Sequence, residues 1–81
     1  MPYIDPAARQ HLSKGNAPAN AGELNYLLTL ICNRYRVSSG NRYQVFNDII
    51  GALEGAKLEM YRRLVAPYED TKITENGDVY T

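Results

Sequence analysis

The stretch from Asn41 to Pro67, NRYQVFNDIIGALEGAKLEMYRRLVAP, decides the fold class. Phe46, Ile49, Ile50, Leu53, Ala56, Met60 and Leu64 recur at steps of three and four, the spacing of one helix face. A helix of about 25 residues, roughly 37 Å long, would be the spine of the molecule. Asn41 with Gln44 offers a weak capping box at its start. Ala66-Pro67 is expected to end or kink it, because proline disfavours helical geometry in the residue before it.

Upstream, a second stripe runs through Leu24, Leu27, Leu28, Ile31, Cys32 and Tyr35. Asn20 and Glu23 have the spacing of a capping box, and Val37-Ser38-Ser39-Gly40 closes the segment. Asp5-Pro6 pairs an N-cap residue with proline at the first helical position, so a short helix should run to Leu12 and stop at Lys14-Gly15. Beyond Pro67, two readings compete. Glu69 and Asp70 suit a further helix start, with Gly77 as its C-cap. Asn76-Gly77 also suits a hairpin turn, but that would set Glu75 opposite Asp78, two like charges. The helix followed by an extended end is favoured.

The expected architecture is therefore all-α, a single small helical domain over residues 1–81. It comprises an antiparallel pair of main helices, a short N-terminal helix and a packed C-terminal tail. An 81-residue chain buries roughly 60–65% of its unfolded surface, a marginal core. One helix pair cannot cover both stripes, which leads to an expected homo-oligomer. Opposite the main stripe lie Gly51, Gly55 and Leu58. Each glycine inside a helix costs about 1 kcal/mol relative to alanine, so another backbone is expected to approach there. That backbone is either the chain's own terminal segment or a second copy.

Nine basic and nine acidic residues balance to zero net charge, which disfavours duplex DNA as a partner. The longest apolar run, Leu27 to Cys32, is too short to span a membrane. A single cysteine permits no internal disulfide, and no signal-peptide pattern opens the chain, so the expected location is the cytoplasm. One histidine and one cysteine give no zinc or haem ligand set, and no cofactor is expected. His11, Ser38 and Ser39 show no nucleophile pattern. The carboxylates already have structural roles as caps and helical pair partners, so no enzyme is expected.

Seven tyrosines beside one phenylalanine and no tryptophan are less routine. Tyrosine combines a flat face with a hydroxyl, which suits ligand pockets and interfaces. Arg62 with Tyr61 and Tyr68 offers a cation for a phosphate and a surface for a base, if Pro67 folds the tail back. Lys57 would add a charge at the pocket mouth, and Tyr26 a second stacking surface. Each has a plainer role. Lys57 can snorkel and pair with Glu54, Arg62 can sit at a solvated helix end, and Tyr26 can pack on the N-terminal helix. On this reading Arg62 matters to ligand capture and Arg9 does not.

Gly22-Glu23-Leu24-Asn25-Tyr26 and the run from Lys57 to Asp70, closing with Glu75-Asn76-Gly77-Asp78-Val79-Tyr80, carry a resemblance. With the opening Met1-Pro2-Tyr3-Ile4, the chain resembles a family of small phage and bacterial proteins known mainly as a domain of unknown function. The resemblance covers almost the whole chain. It implies a compact, self-contained protein of phage type, and it assigns no activity and no site residues.

The function expected is a non-enzymatic binding protein, a phage accessory protein that sequesters a host nucleotide-like signal and so blunts host defence. The alternative is a protein–protein adaptor that inhibits a host enzyme directly. A small metal-dependent hydrolase using Glu23, Glu54 and Glu59 ranks last.

Overall fold

The computed structural model describes residues 1–81 and contains only helices. They are α1 (Pro6–Ser13), α2 (Ala21–Ser39), α3 (Tyr43–Met60), a π-helical turn (Tyr61–Val65) and α4 (Ala66–Asn76). The chain divides into two units, Met1–Phe46 and Asn47–Thr81.

Local capping sets the helix ends in the first unit. Asp5 Oδ1 accepts from the Ala8 N–H at 2.9 Å, and Pro6 opens α1. Asn20 Oδ1 accepts from the Glu23 N–H at 2.9 Å. The Glu23 carboxylate reaches back one residue further than a standard capping box and accepts from the Ala19 N–H at 3.0 Å. Gly40 ends α2 with φ +103° and ψ 163°, a region that only glycine adopts without strain. Its N–H donates to Arg36 O at 2.8 Å.

The next helix starts at Tyr43, one residue later than a capping box of Asn41 and Gln44 implies. The Asn41 side chain is engaged upstream: its Oδ1 accepts from Arg36 Nη1 at 2.7 Å. The same guanidinium donates to Asn33 Oδ1 through Nε at 3.1 Å and Nη2 at 2.7 Å. Arg36 thus ties the last turn of α2 to the loop that follows it.

Within this unit α1 packs on α2. Leu12 is the buried anchor of α1, 4% exposed, and Val45 in the first turn of α3 is 1% exposed. The N-terminal segment lies against the start of α2. A β-carbon at Gly22 would sit 3.7 Å from both Ile4 Cγ2 and Met1 O.

In the second unit the helix does not break at Pro67. Proline has no N–H to offer the carbonyl four residues back, and its ring crowds that carbonyl. The ladder widens by one residue just before it. The Ala66 N–H bonds to Tyr61 O, five residues back, and Ala66 keeps helical angles of φ −59° and ψ −45°. The π turn therefore absorbs the proline, and helix continues from Tyr43 to Asn76. Gly77 closes α4 with φ +92° and an N–H bond to Ile73 O at 2.8 Å. The tail is helix and then extended chain, as the favoured reading has it.

Two expectations change. The main stripe, expected to be core, is open: Ile50, Leu53, Met60 and Leu64 are all exposed. The reason is topological. Asn47–Thr81 holds one helical line and a tail, with no second helix of its own to lie on the stripe. The tail, expected to pack, leaves Val79 and Tyr80 88% and 91% exposed. Its local order comes from an Asx turn, in which the Tyr80 N–H donates to Asp78 Oδ1 at 3.0 Å.

Leu12→Ala is expected to destabilise the first unit by about 2–5 kcal/mol, the usual range for a buried leucine. Denaturant unfolding followed by circular dichroism measures it. A change under about 1 kcal/mol would mean that α1 is not anchored through Leu12.

Candidate functional site

Charge is not spread evenly along the chain. Met1–Phe46 carries five basic residues (Arg9, Lys14, Arg34, Arg36, Arg42) against two acidic ones (Asp5, Glu23), net +3. Asn47–Thr81 carries four basic residues against seven acidic ones, net −3. The zero total hides a basic unit and an acidic unit.

In the acidic unit, each proposed ligand residue already has a partner on the same helix. Lys57 Nζ lies 3.3 Å from Glu54 Oε1. Arg62 Nη2 donates to both oxygens of Glu59, at 2.9 and 3.1 Å. Arg63 Nη1 approaches the same carboxylate at 3.8 Å. Lys72 Nζ sits 5.6 Å from the centre of the Tyr68 ring and 3.1 Å from Glu75 Oε2. These pairs are solvent-exposed and individually weak. They do occupy the cations that a phosphate would need.

The Tyr61 hydroxyl donates to Glu69 Oε1 across the π turn and Pro67. The hydrogen bond to the Glu69 carboxylate, and then its negative charge, hold the Tyr61 phenol above its ordinary pKa; slight desolvation and Asp70 add to the effect. Because the helix runs on through Pro67, the tail does not fold back there to bring Tyr68 over Arg62. Tyr68, Ile73, Val79 and Tyr80 instead border a shallow groove of about 520 Å³ beside α4.

Gly51 and Gly55 face open space: a β-carbon at either would meet nothing within 4 Å. No terminal segment of the chain fills that notch.

The basic unit offers a different arrangement. Arg9, Ser13, Tyr26, Leu30 and Arg34 line a cleft of about 200 Å³ between α1 and α2, with Leu12 at its base. Tyr26, Leu30 and Arg34 follow one another at four-residue steps on one face of α2. Arg9 comes from α1. Its Nε donates to Ile4 O at 3.0 Å, and its guanidinium carbon lies 5.3 Å from the centre of the Tyr26 ring. That contact confirms the packing of Tyr26 on the N-terminal helix. Neither Arg9 nor Arg34 pairs with a carboxylate; the ion pairs described all fall within Asn47–Thr81. The cleft thus combines two uncompensated guanidiniums, an aromatic face and an apolar floor.

Sequence reading reached Tyr26 and missed Arg9 and Arg34. The signal for Arg34 lay in its four-residue register with Tyr26 and Leu30. Arg9 had none, because its place depends on how α1 docks. The glutamates of the hydrolase reading do not gather: Glu23 caps α2, while Glu54 and Glu59 pair with basic neighbours. No helix is long and apolar enough to cross a membrane.

A family model described as a domain of unknown function, DUF6899, matches residues 1–79. No curated protein and no solved structure matches the chain.

Glu69→Gln is expected to lower the Tyr61 pKa toward the ordinary value near 10, because it removes the carboxylate that favours the neutral phenol. Ultraviolet titration of tyrosinate, with Tyr61→Phe to assign the signal, measures the shift. An unchanged titration would show that the bond across the π turn does not persist in solution.

Proposed function

We propose that this chain, which belongs to the DUF6899 family of unknown function, is a non-enzymatic binding protein that captures a small nucleotide-like anion. The observation that supports the reading is the cleft between α1 and α2, where Arg9 lies over the Tyr26 ring and Arg34 lines the same wall, neither paired with a carboxylate. An arginine fork bonds phosphate oxygens in a fixed plane, and a tyrosine face stacks on a base. At about 200 Å³ the cleft is smaller than most sites for drug-sized ligands. It suits one phosphate or one planar ring, with the rest of the ligand lying outside. The net charge of +3 on this unit adds a favourable field for an anion.

Tyr26 keeps its place from the sequence reading. Arg9 and Arg34 take over the role first given to Arg62, whose guanidinium is held by Glu59. Within this reading the protein acts as a sponge: it binds, it does no chemistry, and it releases the molecule intact on unfolding. In a phage accessory protein such capture would remove a host nucleotide signal.

Calorimetric titration with cyclic and linear nucleotides tests the proposal. Arg9→Ala and Arg34→Ala should each weaken binding by roughly ten- to a hundred-fold, the effect of losing a charge-assisted contact worth about 1.5–3 kcal/mol. Arg62→Ala should leave binding unchanged, and circular dichroism should show all three variants folded. No binding by the unmutated protein would overturn the reading in favour of the protein–protein adaptor. Binding that survives Arg9→Ala and Arg34→Ala but not Arg62→Ala would return the site to the acidic unit.

A further inference from the structure

Ile50, Leu53, Met60, Tyr61 and Leu64 lie on one side of the helical line in Asn47–Thr81, and all five are exposed, Ile50 and Leu64 by 66% and 65%. The opposite side, with Gly51 and Gly55, has only Leu58 as a large apolar residue. The stripe therefore presents a continuous apolar surface along one side of the helix. Five such side chains offer on the order of 500 Å² per helix, the apolar share of a standard interface of about 800 Å² a side. One surface with this content is present in every copy of the chain.

The charges on the stripe say what fits it. Its one cation, Lys57, stands mid-stripe, and its one flanking anion is Glu54, 3.3 Å away and on the same side of the helix. We infer that the stripe pairs with the same stripe of a second copy, antiparallel, about a two-fold axis level with Gly55 and Ala56. An antiparallel two-fold keeps each flank of one helix beside the same flank of the other. Lys57 of each copy then lies opposite Glu54 of the other, so the exposed pair within one helix becomes a four-charge cluster between two. The same axis brings Ile50 level with Tyr61 of the second copy. Each contact occurs twice, as an isologous dimer requires. A parallel pairing would put Lys57 against Lys57, which like charge opposes.

This moves the expected subunit contact from the face of Gly51, Gly55 and Leu58 to the stripe opposite. It does not depend on what the cleft between α1 and α2 binds.

The charges also supply the test. Lys57→Glu alone puts four carboxylates at the contact, and Glu54→Lys alone puts four ammonium groups there. Mixed, the two variants restore both cross-pairs, but only in a heterodimer. Sedimentation equilibrium at concentrations on the order of tens of micromolar should give a dimer for the unmutated chain. Each single variant should dissociate at least tenfold more readily, and its helix content should fall as it dissociates. An equal mixture of the two should recover the dimer. A monomeric unmutated chain, which would mean the chain covers its own stripe, overturns the inference. So does an odd-numbered assembly, or a mixture no more associated than its components.

Discussion

The open stripe Ile50, Leu53, Met60 and Leu64 is the constraint on which the remaining account depends. A lone helix in water is marginal, because propensity and hydrogen bonding barely offset the entropy of ordering it. Most helical stability comes from covering the apolar face. The unit from Asn47 to Thr81 contains that face and nothing of its own to cover it with. The first unit is better provided, since α1 seats Leu12 against α2 and the N-terminal segment lies on Gly22. Even so, Leu24, Leu28, Ile31 and Tyr35 on α2 are exposed, so each unit carries an open apolar face.

Pro67 shows how the second unit keeps that surface continuous. A break at Ala66 would have split the helix and set α4 at an angle. The π turn from Tyr61 to Val65 instead takes up the missing hydrogen bond and carries the helix through. Tyr61 braces this turn by donating to Glu69 on its far side. The brace consumes the hydroxyl that would otherwise be free for a ligand. Charge follows the same division. The acidic unit pairs its cations with its own carboxylates, whereas in the basic unit Arg9 and Arg34 line the cleft beside Tyr26 without a carboxylate partner.

The helix ends were legible in the sequence because caps are local. Asp5 with Pro6, Asn20 with Glu23, and the glycines at 40 and 77 act within a few residues, and their chemistry is written in those residues. Asn41 misled because its side chain bonds Arg36 rather than opening α3. Pro67 misled in part: it does not end the helix, because Ala66 keeps helical angles and the π turn relieves the missing N–H and the crowded carbonyl four residues back. The stripes named the apolar faces correctly but could not say what covers them, since that is set by topology. The cleft was half legible. Tyr26, Leu30 and Arg34 share a register on one helix, while Arg9 reaches them only through the docking of α1.

The central claim is that the helix in Asn47–Thr81 gains its stability from a surface the unit itself lacks. Hydrogen–deuterium exchange followed peptide by peptide over a range of protein concentrations reads this directly. Protection of the amides between Ile50 and Leu64 should rise with concentration, while protection around Leu12 and α2 stays constant. Protection of the Ile50–Leu64 amides that is high and independent of concentration would contradict the account.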